Sequence, residues 1–427
     1  MRVIIVGSGA GGASAARHLA KKGAQVTVVE AGEAFQPFTR MVGPVEPLRR
    51  AGLLGGERTA TRLLPHLQTA RSGGLVFVRG VGLGGSTVLT CGNMVRAERG
   101  LDEIGLDLGE EFEEIESSLR IAPFPTKRWR PVTREMFEAA ERRGLNPMPT
   151  PKVVDPAKCR ACGLCELGCY YGARWDSRQW LTEVKDQGAV VLTGAAVDKV
   201  LVEDGAATGV LVTKGARQVV LKADEVVLAA GGIGTAQILK RSGLRAEDRL
   251  WADIVLTLGG RKKDARQLEE PPMSWYAQRD GYIISPYLDL LTHYFHKPWR
   301  NVGVKDRVGM MVKLADASNG AVLESGEVTK TLTEDDRERM EEALAVVEGV
   351  MRDAGVEGPF VRGMLNGGHL GGTVPLTKED VPAMRPSHLP PHLWVADLSL
   401  IPRSQGMPTS LTAAAVALRV AKAIGGA

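Results

Sequence analysis

Residues 2–31 read RVIIVGSGAGGASAARHLAKKGAQVTVVEA, and this stretch decides how the rest of the chain is interpreted. The β-branched run from Val3 to Val6 predicts a strand buried on both faces of a parallel sheet. A glycine turn, a helix from about Gly11 to Lys22 and a second strand from Gln25 to Val29 follow without a gap. This order of elements is typical of the unit that binds the pyrophosphate of a dinucleotide at a helix N-terminus.

Three glycines and one acidic residue of this unit have separate physical roles. Gly7 permits the tight turn, Gly9 lets the backbone approach a pyrophosphate, and Gly12 lets the helix pack closely against the strand. Glu30 stands 18 residues beyond Gly12, where a carboxylate can hold the ribose hydroxyls of an adenosine. The acid favours FAD or NAD over a 2′-phosphorylated cofactor, and a purely structural glycine turn is the alternative.

Length and composition limit the class of protein. The 427 residues are enough for two domains, or for one nucleotide domain with a large insertion. A net charge of +4 without a long run of Lys or Arg argues against a nucleic-acid partner. No apolar run reaches the roughly 18 residues of a membrane span, and a first strand at residue 2 leaves no room for a signal peptide. We therefore expect a cytoplasmic protein without a transmembrane segment.

Two further glycine-rich segments are expected to face the same nucleotide site. Gly84, Gly85 and Ser86 precede an apolar run, as expected where the backbone touches a phosphate or a ring face. A strand over 225–228 passes into a helix through a second glycine junction, which contains Gly231.

The middle of the chain predicts elements of a different kind. Residues 252–326 alternate short strands with polar turns and hold many of the large aromatic residues, which predicts an antiparallel sheet forming one wall of a substrate pocket. Thr333 is a candidate cap for a helix that reaches Ala354. The segment from Gly32 to Ser72 has no periodic pattern of hydrophobic residues. It is either a lid over a cofactor or an ordinary connection with a short helix.

Four of the five cysteines fall within eleven residues. Cys159-x2-Cys162-x2-Cys165-x3-Cys169 is the spacing of bacterial ferredoxins, in which thiolates on a tight loop wrap a [4Fe-4S] cluster. The fourth ligand is then either Cys169 or the distant Cys91. Zinc, whose sites usually use two separated pairs, and free structural thiols are the alternatives.

Taken together, these segments resemble the glucose-methanol-choline family of FAD-dependent oxidoreductases. The first 31 residues are similar to the dinucleotide unit of that family, 80–92 to its first signature and 231–244 to its second. Val395 to Ser399, which contains Asp397, resembles the late segment that holds the flavin. Some long-chain alcohol members have a similar cysteine-rich stretch that runs into Gly-Cys-x-x-Gly-Ala.

The resemblance implies an α/β fold, α+β overall, in which a Rossmann-like FAD-binding domain is interleaved with an antiparallel-sheet substrate domain. The FAD-binding domain is then discontinuous and comprises 1–100, 187–245 and 365–427. Residues 101–186 form a helical segment with the cysteine loop, and 246–364 form the substrate or cap domain.

The resemblance also implies an active-site histidine and a flavin-binding turn. His369 stands where the family places a base that takes the hydroxyl proton of an alcohol while a hydride passes to flavin N5. The turn Met407-Pro408-Thr409 is expected to contact the flavin, but Met407 occupies a position where the family usually has His or Asn. A thioether is neither a base nor a strong donor. Three residues are candidates for the missing polar contact: Ser404, Gln405 and Thr409.

Three functions stay open at this point. The first is a flavin dehydrogenase that oxidises an alcohol-type small molecule and passes electrons singly through a [4Fe-4S] cluster to a ferredoxin, a quinone or a partner subunit. The second is a flavoprotein that acts on a C=C or quinone-like substrate, which the absence of a clear acid-base pair favours. The third is a non-catalytic electron-relay subunit of a larger redox complex, which the cysteine motif favours.

Overall fold

A computed structural model describes residues 1–38, 43–54, 59, 61–62, 64 and 66–424. The helices of at least five residues, in chain order, are α1 Ala10–Lys21, α2 Glu46–Arg50, α3 Gly109–Ser118, α4 Pro131–Arg142, α5 Arg178–Asp186, α6 Gly231–Arg241, α7 Leu290–Phe295, α8 Glu334–Asp353 and α9 Ser410–Ile424. The strands are β1 Arg2–Val6, β2 Gln25–Val29, β3 Leu67–Ser72, β4 Leu75–Gly80, β5 Ala122–Pro123, β6 Met148–Pro149, β7 Pro151–Lys152, β8 Val190–Leu192, β9 Ala196–Glu203, β10 Ala206–Lys214, β11 Arg217–Lys222, β12 Glu225–Leu228, β13 Ile254–Arg261, β14 Trp275–Arg279, β15 Tyr282–Pro286, β16 Arg307–Leu314, β17 Ala321–Val322, β18 Val328–Thr329, β19 Glu357–Arg362, β20 Asn366–Gly367 and β21 Leu393–Val395.

A five-stranded parallel sheet is built around the first strand, in the order β21-β12-β1-β2-β8. All its pairings are parallel, and they join strands from the beginning, the middle and the end of the chain. Helix α1 packs against α9, the closing helix of small residues. The strand, helix and strand predicted from the first 31 residues are confirmed, and the helix begins at Ala10, one residue before the predicted start.

A second, largely antiparallel sheet has the order β3-β4-β20-β13-β16-β15-β14-β6, and β19 also pairs with β13. It confirms the antiparallel sheet expected from residues 252–326 and adds strands from far away in the sequence. One face of this sheet packs on α4 and α8 to form a large apolar core. Together the two sheets confirm the mixed α/β fold class.

Helix α8 begins as the sequence predicts, at a cap formed by Thr333. The Thr333 hydroxyl accepts a hydrogen bond from the Asp336 backbone N–H at 3.1 Å, and the Asp336 carboxylate accepts one from the Thr333 N–H at 3.1 Å. This reciprocal pair satisfies backbone donors that a helix start leaves without partners.

The segment between Gly32 and Ser72 contains the short helix α2 and the strand β3. Part of it, including Leu63, lies outside the described residues, so the choice between a lid and a connection stays a prediction. The division into domains at 100, 186, 245 and 364 likewise stays a prediction.

Candidate active site

One cavity of about 550 Å³ runs from the dinucleotide unit to the antiparallel sheet. Most of the residues proposed from the sequence as cofactor-binding or catalytic line it: Gly7, Gly9, Glu30, Gly85, Ser86, Gly231, Asp397, Pro408, Thr409 and His369. Gly12, Gly84 and Met407 are not among the residues that line it.

The glycines of the first turn differ in what surrounds them. Gly7 has a positive φ of 105°, and a Cβ there would lie 2.3 Å from the Ala229 carbonyl oxygen. A Cβ on Gly12 would lie 2.0 Å from the Gly7 carbonyl oxygen, so that glycine allows the helix and strand to approach. A Cβ on Gly9 would meet no protein atom within 4 Å. The space beside Gly9 therefore belongs to the cavity, where a pyrophosphate fits.

Glu30 is buried and tied to the first turn through Ser8. Its Oε2 accepts hydrogen bonds from the Ser8 backbone N–H at 3.1 Å and the Ser8 hydroxyl at 2.6 Å, while Oε1 accepts one from the Gly32 N–H at 2.9 Å. Burial raises the pKa of Glu30, and these hydrogen bonds oppose the rise. Sequence reasoning identified the acid but missed Ser8, which also accepts a hydrogen bond from the Gly84 N–H at 2.9 Å.

The second glycine segment packs directly on the first. Gly84 and Gly85 have φ values of 101° and 54°, and a Cβ on Gly85 would lie 2.8 Å from the Gly9 Cα. The Ser86 hydroxyl accepts a hydrogen bond from the Gly80 N–H at 3.0 Å. The two glycine turns thus meet face to face at the place where the cavity opens towards the parallel sheet.

Asp397 joins the end of strand β21 to the start of helix α6. Its Oδ2 accepts hydrogen bonds from the Gly231 N–H at 2.8 Å and the Thr235 hydroxyl at 2.6 Å, and Oδ1 accepts one from the Ser399 N–H at 2.8 Å. Burial raises the pKa of this carboxyl group. Asp397 therefore caps the N-terminus of α6 at the cavity wall, and the Gly231 N–H is already occupied by its carboxylate.

The donors and spaces around this end of the cavity fit FAD. The N-terminus of α1 and the open position at Gly9 suit a pyrophosphate, and Glu30 suits the ribose. Arg79 of strand β4 also lines the cavity, and its guanidinium is partly desolvated beside Glu30. The sequence analysis missed Arg79, because the sequence of this apolar strand does not indicate which of its side chains face the cavity.

His369 lies at the other end of the cavity, where it meets a carboxylate and an amine. Its Nδ1 is 3.1 Å from Asp253 Oδ2 and 3.4 Å from Lys313 Nζ. Burial, followed by the Lys313 charge, lowers the pKa of the imidazole, and Asp253 opposes this shift. The shift favours the neutral form of the ring, which can accept a proton.

Asp253 holds the turn that precedes Met407. Its Oδ1 accepts hydrogen bonds from the Ser404 hydroxyl at 2.6 Å, the Gln405 N–H at 2.8 Å and the Gly406 N–H at 2.7 Å. Neither Ser404 nor Gln405 lines the cavity, so of the three candidates for the missing polar contact only Thr409 lies on its wall. No sequence pattern indicated a role for Asp253, which lies 116 positions from His369.

The wall beyond His369 is largely apolar. Val255 and Met311 line it from the antiparallel sheet, and Tyr287, Tyr294 and Phe295 line it from the segment around α7. Other aromatic residues of 252–326 are not part of this wall, since Trp275 and Trp299 are completely buried in the protein interior. The expected pocket wall is therefore present, but only some of the aromatic side chains form it.

The four clustered cysteines line one small cavity of their own, formed by the loop from Cys159 to Cys169. The adjacent Glu166 and Leu167 line the large cavity, so this loop separates the two spaces. Cys91 lines the large cavity instead. In the part of the chain that the structure describes, no three or more His, Cys, Asp or Glu side chains are grouped closely enough to hold a single metal ion.

None of the helices within the described ranges is both long enough and apolar enough to cross a membrane.

The dinucleotide unit and a histidine that follows strand β20 thus line the same cavity. The sequence profile of the family described as GMC oxidoreductase matches residues 1–259, which is more than half of the chain. The protein therefore belongs to the GMC oxidoreductase family, whose enzymes depend on FAD. The resemblance inferred from the sequence is confirmed at the level of the family.

Two relatives show how much of the chain is shared. An uncharacterised GMC-type oxidoreductase of Mycobacterium tuberculosis is 34% identical over 269 residues, which are 59% of this chain and 41% of that protein. A long-chain-alcohol oxidase of Arabidopsis thaliana is 26% identical over 273 residues, or 57% of this chain and 34% of the plant protein. The chain thus matches less than half the length of either relative.

Solved structures share the fold over almost the whole chain. Pyridoxine 4-oxidase from Mesorbium loti has a TM-score of 0.74 at 16% identity and covers 99% of this chain and 98% of its own. Formate oxidase from Aspergillus oryzae has a TM-score of 0.72 at 15% identity, with 99% and 97% covered. At these identities the likeness shows the fold alone.

Proposed function

We propose that the protein oxidises an alcohol-type CH–OH donor with FAD as the hydride acceptor. The observation that carries this proposal is the position of the His369 ring, with Nδ1 3.1 Å from Asp253 Oδ2, in the same cavity as the dinucleotide unit. Bound FAD supplies the electron-accepting chemistry of the reaction. The apolar wall beside His369 and the similarity to a long-chain-alcohol oxidase favour a hydrophobic alcohol.

The protein's own residues have defined tasks in this reaction. Asp253 Oδ2 accepts the Nδ1 proton of His369, which leaves Nε2 as the free base of the neutral ring. Nε2 then takes the proton of the substrate hydroxyl as the C–H hydride leaves. Three donors on Oδ1 hold Asp253 in place, so the orientation of the imidazole is fixed before the substrate binds.

Anaerobic mixing of the holoenzyme with a panel of primary alcohols of increasing chain length tests this function. We expect the absorbance of oxidised flavin to disappear, faster for longer chains because they bury more apolar surface. If the alcohols leave the flavin oxidised while a quinone or an activated C=C compound reoxidises reduced flavin, the C=C or quinone-like function is correct instead. If the flavin reacts with none of the alcohols, the quinone or the C=C compound, and the protein co-purifies with a larger complex, the electron-relay function is favoured.

The pH dependence of flavin reduction follows from the ionisation of His369. The base must be neutral, and the pKa of His369 lies below its ordinary value of about 6.5. We expect the reduction rate constant to be flat between about pH 7 and 8 and to fall at pH values below about 6.5, as the imidazole becomes protonated. Stopped-flow absorbance at a saturating alcohol concentration measures this profile, and a rate that rises on acidification contradicts the role of the base.

We further propose that the cysteine loop holds a [4Fe-4S] cluster through Cys159, Cys162, Cys165 and Cys169. The ferredoxin spacing and the common cavity of the four thiols support this proposal, and they favour Cys169 over Cys91 as the fourth ligand. In such a cluster each thiolate binds a different iron atom. The four sulfur atoms therefore need not lie close enough together to bind one metal ion. The cluster would supply one-electron transfer towards a carrier protein, a quinone or a partner subunit.

Replacing Cys162 by Ser is expected to remove the iron and leave FAD bound. The flavin should then still be reduced by substrate but be reoxidised more slowly by a one-electron acceptor. Iron and acid-labile sulfide analysis of anaerobically purified protein, with stopped-flow reoxidation, measures both effects. Cys91→Ser is the matched control, because a thiol outside the small cavity should leave the iron content unchanged. An iron-free wild-type protein contradicts the cluster, and wild-type reoxidation in an iron-free variant contradicts its role in electron exit.

A further inference from the structure

Lys313 is a buried lysine whose surroundings differ from those of the other buried lysines. Strand β16 places it opposite Val255 of β13, and alternation along the strand sends Met311 and Lys313 towards the cavity. Their neighbours Met310, Val312 and Leu314 face the apolar core on the other side. A charged residue thus occupies a position on an otherwise apolar stretch of the cavity wall.

Two other buried lysines have full sets of partners. Lys330 Nζ contacts Asp316 Oδ2 at 2.7 Å and donates to Leu250 O, Ala317 O and Asn319 Oδ1. Lys152 Nζ donates to Asn93 Oδ1, Cys91 O and Pro272 O. These amines are satisfied by the protein itself, which is how a buried ammonium is normally accommodated.

Lys313 is only 6% exposed, yet its amine has a single polar contact within the described ranges, the 3.4 Å approach to His369 Nδ1. Among the described residues, no Asp or Glu oxygen lies within 4.0 Å of it. Burial lowers the pKa of Lys313, and the nearby Asp253 carboxylate opposes that shift. With the Nδ1 proton donated to Asp253, Nδ1 cannot accept a hydrogen bond from the amine, so the donors of Lys313 have no acceptor among the described residues, and the cavity is the space they face.

We propose that Lys313 and His369 together form an oxyanion site, in which the Lys313 amine donates hydrogen bonds to the reacting oxygen of the bound substrate. This inference rests on the proposed alcohol oxidation. The substrate O–H bond breaks as its proton moves to His369 Nε2, and the two electrons of the C–H bond leave as hydride to FAD, so that C–O becomes C=O. Negative charge develops on the oxygen meanwhile, and a donor already in position stabilises it.

The proposal explains how the site functions with Met407 in the last turn. The thioether of Met407 is 6% exposed and packs in an apolar cluster with Met273 and Met311. It cannot donate a hydrogen bond. Lys313, on strand β16 of the antiparallel sheet, supplies the hydrogen-bond donor that Met407 in the last turn cannot supply.

Binding of octanoate to the oxidised holoenzyme tests the oxyanion site without turnover. The carboxylate carries its charge on oxygen, and its chain suits the apolar wall. We expect octanoate to perturb the flavin absorption spectrum and its Kd to rise about 10- to 100-fold in Lys313→Met, the loss expected for a hydrogen bond to a charged group. The FAD content and the thermal midpoint should not fall, because an apolar side chain of similar length replaces an unpaired buried amine.

Lys330→Met is the control for a structural role. It should lower the thermal midpoint, since it leaves the buried Asp316 carboxylate without its partner. The oxyanion site is wrong if octanoate leaves the wild-type flavin spectrum unchanged, if Lys313→Met binds octanoate with wild-type affinity, or if Lys313→Met loses as much thermal stability as Lys330→Met. If no alcohol reduces the flavin but octanoate affinity depends on Lys313, the proposed function fails and the oxyanion site stands.

Discussion

Replacing His369 by Ala is expected to slow flavin reduction by an alcohol about 10²- to 10⁴-fold while FAD stays bound. The imidazole is the group in the cavity that is neutral, oriented and able to accept the hydroxyl proton. Without the imidazole, the proton must pass to solvent. Stopped-flow reduction under anaerobic conditions gives the rate, and the flavin released by acid gives the FAD content.

His388→Ala is the matched control, because His388 is an exposed histidine of the same segment. It should reduce its flavin at the wild-type rate. Equal rates for His369→Ala and His388→Ala would show that another group accepts the proton. Loss of FAD from His369→Ala would show instead that the ring holds the cofactor site together, and the catalytic assignment would then be wrong.

Replacing Gly9 by Val is expected to abolish FAD binding without unfolding the protein. The backbone at Gly9 has φ of −69° and ψ of −167°, which valine adopts readily, and no protein atom lies within 4 Å of the added Cβ. The side chain would occupy the space of the pyrophosphate. Loss of two charge-assisted hydrogen bonds of about 1.5–3 kcal/mol each raises the Kd of FAD at least about 100-fold.

Gly12→Val separates binding from folding. Its Cβ would lie 2.0 Å from the Gly7 carbonyl oxygen, so α1 must move away from the sheet, at a cost of about 3 kcal/mol or more in the free energy of unfolding. Fluorescence titration of apoprotein with FAD and chemical denaturation measure the two effects. Wild-type affinity for FAD in Gly9→Val would place the pyrophosphate elsewhere.

Local sequence pattern determined the dinucleotide unit. The β-branched run of β1, the glycines at fixed spacing and the small residues of α1 all act within about 30 consecutive residues, so their roles follow from backbone conformation and helix geometry. The cap of α8 was predictable for the same reason, since Thr333 and Asp336 are three residues apart and satisfy each other's backbone groups. In these places local preference and tertiary structure agree.

The chemistry around His369 depended on the tertiary structure. His369, Asp253 and Lys313 come from three separate parts of the chain, and pairing of β13 with β16 and packing of the last turn bring them together. A lysine in an alternating strand gives no sign of which face is buried, and an aspartate just before a strand is most often a turn residue. The sequence by itself determined the strand, glycine turn and helix of the dinucleotide unit, because all of their roles lie within one local stretch. Only the tertiary structure decided which side chains lie around His369. These residues are far apart in the sequence, and their electrostatic interactions depend on the distances between them in the folded protein.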